Sequence, residues 1–239
     1  QQEEQEEVVA QREAELGLTA EQARVLERYH VAFIRKGAAL DAKKRKRLAD
    51  IDERMAVLGT KFGQNVLADE KSYTLALEGE DDLAGLPSTL REAAAAAAEE
   101  RGLKGKHVIT LSRSSVEPFL QFSGRRDLRE AAFKAWIARG ENGGETDNRG
   151  VIAEMVKLRA ERARLLGYPS FAHFRLDDTM AKTPEAALGL LHSVWRPARN
   201  MALAESDALQ KMIQEEGANF PIAPWDWRVY AERRRRAEC

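Results

Sequence analysis

Between positions 48 and 66 apolar residues return every third or fourth place: Leu48, Ile51, Met55, Leu58, Phe62 and Val66. At 3.6 residues per turn these six share one seam, so the spacing predicts a helix over 41–69 that packs against an antiparallel neighbour. Before it, Thr19 is a capping hydroxyl for a helix running to Lys36. Val25, Leu26, Tyr29, Ala32 and Phe33 lie towards one side of that helix, and Gly37 ends it. The acidic, glutamine-rich stretch 1–15 predicts a further helix with a frayed start.

The period changes between 71 and 112. Residues 73–77 and 107–111 are short, β-rich and bounded by glycine or polar residues, whereas the alanine-rich stretch 87–101 between them predicts a helix. Two strands around a helix make a small β element, and the pattern leaves their mutual pairing open. Helical periodicity then returns over 116–122, 126–140, 148–166, 170–177 and 184–216. Gly143 and Gly144 mark a loop, and Pro197 is expected to kink or break the last of these helices near Trp195. After a loop with two prolines, Trp225 opens another helix. The fold class is therefore mainly α, long antiparallel helices with one small β element. Three regions follow: 1–70, a helical hairpin region; 71–115, a β-α-β insertion; and 116–239, a helical region. No internal repeat is present.

Composition narrows the function classes. The chain has 239 residues, 38 basic against 39 acidic, for a net charge of −1. Such balance gives no global pull towards nucleic acid or anionic lipid. The single cysteine, Cys239, excludes an internal disulfide framework and favours a reducing compartment, so the expected location is cytoplasmic. No apolar run approaches the ~20 residues needed to span a bilayer.

The punctuation from 165 to 184 is the most specific signal in the chain. Leu165 and Leu166 close an apolar stripe, Gly167 stands where a C-cap needs a left-handed residue, and Pro169 blocks continuation. Ser170 can cap the next turn, and Thr183 with Pro184 repeats the start signal. The words filling this frame, LLGYPSFA (165–172), MAKTPEAAL (180–188) and WDWRVY (225–230), resemble the zinc metallopeptidase family of thimet oligopeptidase, oligopeptidase A and bacterial peptidyl-dipeptidase. RYHVAFIRKGAAL (28–40), FGQNVL (62–67), RGLKGKHVITL (101–111), RDLREAAFKAWIARGENGGETDNRGVI (126–152) and LRAERARLLGY (158–168) resemble it in the same order. The first two words point to the peptidyl-dipeptidase branch.

The resemblance implies an elongated helical enzyme with a deep channel, which hydrolyses short peptides using zinc held by a helical H-E-x-x-H. Two histidines four apart share a helix face there, and the adjacent glutamate is the general base for the metal-bound water. Neither His30, His107, His173 nor His192 begins such a motif. This chain is thus expected to be an N-terminal portion that lacks the catalytic half, binds no zinc itself, cleaves nothing alone and forms a wall of the channel. The expected partners are short peptides and the catalytic half, with neither nucleic acid nor membrane. The rival is a truncated helical interaction module.

No residue is assigned a catalytic, cofactor or metal role. His107 lies in a predicted strand, and His173 and His192 lie on separate helices without a second ligand at helical spacing; Asp177, Asp178 and Glu185 complete no metal set with them. Asp177 and Asp178 point about 100° apart on a helix, which suits a helix end better than a shared proton. The basic run Lys43, Lys44, Arg45, Lys46, Arg47 is followed by Asp50, Asp52 and Glu53 and has no interleaved aromatics, so it reads as a solvated face. Arg233, Arg234, Arg235 and Arg236 form a second such run. Trp195, Trp225 and Trp227 are packing anchors first. An exposed apolar surface, large enough for self-association, is expected at 225–230.

Overall fold

The computed structural model describes residues 17–238. In chain order they form α1 (Ala20–Arg35), α2 (Ala42–Ser72), β1 (Leu75–Leu77), α3 (Ser88–Glu100), β2 (His107–Ile109), α4 (Arg113–Phe122), α5 (Arg126–Ile137), a 3-10 turn (Gly144–Thr146), α6 (Arg149–Leu165), α7 (Phe171–Leu176), α8 (Pro184–Glu215) and α9 (Pro224–Glu238). The mainly helical class with one small β element is what these elements make. The helix anticipated over 1–15 lies outside the described residues. Two compact units interleave along the chain: 1–56 with 157–183, and 57–156 with 184–239.

The first unit holds α1, the start of α2, the end of α6 and α7. Thr19 and Gln22 cap α1 reciprocally, each side chain bonding the other's backbone N–H. Leu48, Ile51, Leu158, Ala163 and Phe174 are buried. Arg47 donates in fork geometry to Glu161 at 2.7 and 2.8 Å, and Arg162 pairs with Asp52 at 2.9 Å. Arg35 donates to the Phe174 carbonyl and lies 4.3 Å above that ring. The end of α6 follows the punctuation of its sequence. Gly167 adopts φ +87°, and the Tyr168 amide donates to the Ala163 carbonyl at 2.9 Å. A Cβ at Gly167 would meet nothing within 4 Å, so only the backbone resists it. Gly167→Ala should therefore cost about 1 kcal/mol, read as a lowered midpoint in urea.

The second unit is organised around α4. Val116, Phe119 and Leu120 are buried together with Leu77, Leu90, Ala94, Ile109 and Ala132, while Phe133, Trp136 and Trp225 pack at the edge. The two strands do pair, antiparallel, with Leu75 opposite Ile109 and Leu77 opposite His107. Leu90, Ala94 and Ala98 repeat every four residues and form the buried face of α3.

The seam of α2 changes character along its length. Leu58 is buried, Phe62 is partly exposed, and the buried places further on fall to Asn65 and Asp69. Asp69 accepts from the Gly140 amide at 2.6 Å, the Thr146 hydroxyl at 2.6 Å and Asn142 Nδ2 at 3.0 Å. Asn148, itself buried, accepts from Asn65 and donates to the Phe62 carbonyl. The glycine-containing loop 138–148 is thus fastened to α2 by polar contacts that stand where the apolar pattern promised packing.

Two expectations are corrected. Pro197 does not break its helix: α8 runs unbroken from Pro184 to Glu215. Its ring removes one N–H from the ladder, and the flanking turns remain helical. The apolar surface expected at 225–230 is not exposed either, because Val229 and Tyr230 are 3% and 4% exposed. α9 packs on α4, α5 and α8 of the same unit, which supplies the cover the pattern of 225–230 could not reveal.

Candidate functional site

The helix α9 is seated by charge as well as by packing. Pro224 opens it, and Asp226 in its first turn is fully buried. The Asp226 carboxylate accepts from Arg126 Nε and Nη2 at 2.9–3.1 Å and from Arg129 Nη2 at 2.9 Å. It also accepts from the Ala223 amide at 3.1 Å, as a helix-start carboxylate does. Arg129 spends its other donors on the carbonyls of Trp225 and Ser123. Burial pulls the Arg129 pKa down from the usual guanidinium value, and Asp226 opposes that pull. Arg126 stacks 4.1 Å from the Phe220 ring and 5.6 Å from Trp225. Arg126 and Arg129 are three apart on α5 and so share a face, a spacing visible in the sequence and passed over because its acidic partner lies 97 and 100 residues away.

α8 and α9 pack through Leu209, Ile213, Val229 and Tyr230, with Met212, Phe220, Ile222 and Trp227 around them. Beside this contact runs a groove of about 580 Å³, whose floor includes Ala204, Ala208, Leu209, Trp227 and Ala231. Glu205, Arg234, Arg235 and Glu238 stand along it. It offers an apolar bed with charges of both signs at the edge, a surface suited to holding chain segments and lacking a nucleophile–base pair. Further towards its N-terminus α8 exposes Leu188, Leu191, Val194, Trp195 and Met201. Trp195 is thus a surface residue, while Trp225 and Trp227 pack.

The remaining candidates are dispersed. His30 is on α1, His107 on β2, His173 on α7 and His192 on α8. Ser170 caps α7 and bonds His173 Nδ1 at 2.8 Å. Asp177 accepts from Arg35 and the Tyr168 hydroxyl, whereas Asp178 takes Arg28, which holds the Asp178 carboxyl below its ordinary pKa. The adjacent carboxylates therefore serve different partners and share no proton. In the basic run 43–47, Arg45 donates to the Leu40 carbonyl, Lys44 pairs with Asp41, and Arg47 holds Glu161. Arg233 pairs with Glu216, Arg234 with Glu238, and Arg236 with Glu232. Among the described residues no group of three or more His, Cys, Asp or Glu is placed to hold a metal ion. The donor set of a catalytic zinc is thus not assembled by these residues, and Glu185 on α8 completes none.

The model of peptidase family M3 matches residues 119–239, from the middle of α4 through α9. The chain belongs to peptidase family M3. A dipeptidyl carboxypeptidase of Escherichia coli is 37% identical over 228 residues, which is 95% of this chain and 34% of that protein. Oligopeptidase A of Haemophilus influenzae is 32% identical over 203 residues, 83% of this chain and 30% of its own length. An organellar oligopeptidase A of Arabidopsis thaliana is 30% identical over 210 residues, 84% and 26%. The chain spans about a third of the length of the first relatives it matches. Within this M3 chain the family match takes in both the Asp226 cluster and the whole of α8, so the seating of α9 lies inside the matched region.

Proposed function

We propose that this chain is a non-catalytic N-terminal portion of a zinc-dependent peptidyl-dipeptidase or oligopeptidase, and that its helices form one wall of the channel that admits short peptides. One observation carries the reading: the chain belongs to an M3 peptidase family, yet none of its four histidines stands in an H-E-x-x-H. The relatives' names supply the reaction class, release of dipeptides or cleavage of oligopeptides. Zinc, when bound in the complete enzyme, would polarise the scissile carbonyl and activate water, a task for residues other than those of this chain. What this chain contributes is scaffold. The Asp226 cluster fixes the angle of α9 on α5, and the apolar bed between α8 and α9 gives the wall a surface for extended peptide. Among the described residues no helix is long and apolar enough to cross a membrane.

The purified 239-residue chain, mixed with a quenched fluorescent short peptide and zinc, should give no cleavage that a chelator abolishes. Chelator-sensitive turnover, retained after a second column, would overturn the non-catalytic reading. The exposed apolar face of α8 favours a second reading, a helical interaction module without peptidase activity. Reading the coding frame past codon 239 separates the two: an H-E-x-x-H downstream supports the peptidase portion, and its absence supports the module.

A further inference from the structure

We infer that Asn142 is a site of spontaneous covalent modification, and that its conversion to a carboxylate releases the loop 138–148 from α2. Asparagine is a chemically labile residue, and of the five in this chain Asn142 is the one followed by glycine. The reaction needs only water. The Gly143 backbone nitrogen attacks Asn142 Cγ and forms the N–Cγ bond of a cyclic succinimide. The Cγ–Nδ2 bond breaks, and the proton lost by the Gly143 nitrogen leaves with the side-chain amide as ammonia. Water then adds to one of the two ring carbonyls and opens the ring, giving aspartate or the isomer whose backbone runs through Cγ. Nothing is oxidised or reduced.

The surroundings of Asn142 suit this chemistry and those of the other asparagines do not. A glycine in the next position has no Cβ to crowd the approach of its nitrogen to Cγ. Gly143 and Gly144 have φ +78° and +70°, and a Cβ built at either would meet nothing within 4 Å. No neighbouring element therefore hems in the backbone that has to turn. Asn142 is exposed, whereas Asn65 and Asn148 are buried. Asn200 lies inside α8, where the helical ladder occupies the following N–H. Asn219 precedes Phe220, whose side chain stands in the way.

Asp69 gates the reaction and reads its result. Asn142 Nδ2 donates to Asp69 Oδ2 at 3.0 Å, the same oxygen that takes the Gly140 amide at 2.6 Å. That bond fixes the side chain whose Cγ must swing towards Gly143, so the reaction is confined to moments when the loop is locally open. Deamidation then replaces the donor by a carboxylate. Buried Asp69 would face a second negative charge where it had an N–H, and Asp147 already acts on it as a like charge. Carboxylates this close oppose one another's ionisation, and the loop relieves the conflict by leaving α2 and giving up the Gly140 and Thr146 bonds. The lost ammonia does not return, so the release runs one way. Every group named lies in the second unit, and neither peptide binding nor cleavage enters, so the inference stands apart from the peptidase reading.

Ageing the 239-residue chain in neutral buffer, then digesting it with trypsin for mass spectrometry, tests this. Cleavage after Arg139 and Arg149 releases the segment 140–149. It should gain about 1 Da at residue 142 and resolve into two products, one co-eluting with the same peptide from Asn142→Asp. Asn148, in the same peptide, should remain an amide. Hydrogen exchange at the Gly140 amide should be faster in the aged chain, and likewise in fresh Asn142→Asp. Asp69→Ala, with its helical circular dichroism retained, should deamidate roughly tenfold faster than wild type, because a bond to a charged acceptor no longer has to open first. Asn142→Gln, which would have to close a larger ring, should show no mass gain at 142. A residue 142 that stays an amide while other asparagines convert would overturn the proposal. So would a chain converted at 142 whose Gly140 amide exchanges as slowly as before, or an Asp69→Ala rate equal to that of wild type.

Discussion

Asp226→Asn should destabilise the second unit by about 3–5 kcal/mol, because it removes from a fully desolvated position the carboxylate that faces two guanidinium groups. Arg129 has no route to water: its side chain is 3% exposed and held on three sides by Asp226, Ser123 and Trp225. An asparagine keeps the shape and can still accept from the Ala223 amide, but it leaves the Arg129 charge buried without a counter-charge. Arg126→Met should cost much less, about 1 kcal/mol, since Arg126 is one-third exposed and Arg129 keeps its partner. Trp225 and Trp227 flank the site, so in a variant with Trp136 and Trp195 replaced by Phe the fluorescence during urea unfolding reports locally on α9. An Asp226→Asn midpoint within the error of wild type would show that the Arg129 charge is satisfied in some other way, and the account of how α9 is seated would fail.

The sequence made the local geometry readable and left its partners hidden. The apolar spacing Leu48, Ile51, Leu58 gave the buried seam of α2, and the glycine at 167 gave the end of α6, because both are decided within a few residues. Asn65 and Asp69 continue that seam at the same spacing, yet no periodicity marks them as buried. Their partners, Asn148 and Thr146, lie 83 and 77 residues further on. The same reason explains why 225–230 was expected to be an open apolar surface. A hydrophobic residue announces that it wants cover, and only the tertiary path shows that α4, α5 and α8 supply it. Exposed apolar residues lie instead along α8, at Leu188, Leu191, Val194 and Trp195. That no H-E-x-x-H occurs, by contrast, is legible at once, since that motif is defined by residue types at fixed spacing within one helix.

Asp69→Ala should cost about 2–3 kcal/mol. The carboxylate, 7% exposed, is the common acceptor for the Gly140 amide, the Thr146 hydroxyl and the Asn142 side chain, and its loss strands a buried amide. Gly140 has φ +78°, and its carbonyl accepts from the Asn148 amide at 2.6 Å, so the loop is fastened at both ends by the same short stretch of backbone. Freeing the Gly140 amide therefore loosens Asn148 and its hold on Asn65 and on the Phe62 carbonyl. The effect should depend on pH with a definite sign. Donation from Thr146, then from Gly140, holds the Asp69 carboxyl below its usual pKa, so the folded state binds its proton more weakly than the unfolded chain does. The stabilisation is complete above the unfolded value of about 4 and fades as pH falls from there through the lower folded value. The gap between wild type and Asp69→Ala in urea midpoint should accordingly narrow on acidification from neutrality to about pH 3, within the usual carboxylate range. A gap that widens on acidification, or one already absent at neutral pH, would mean that Asp69 does not fasten the loop to α2.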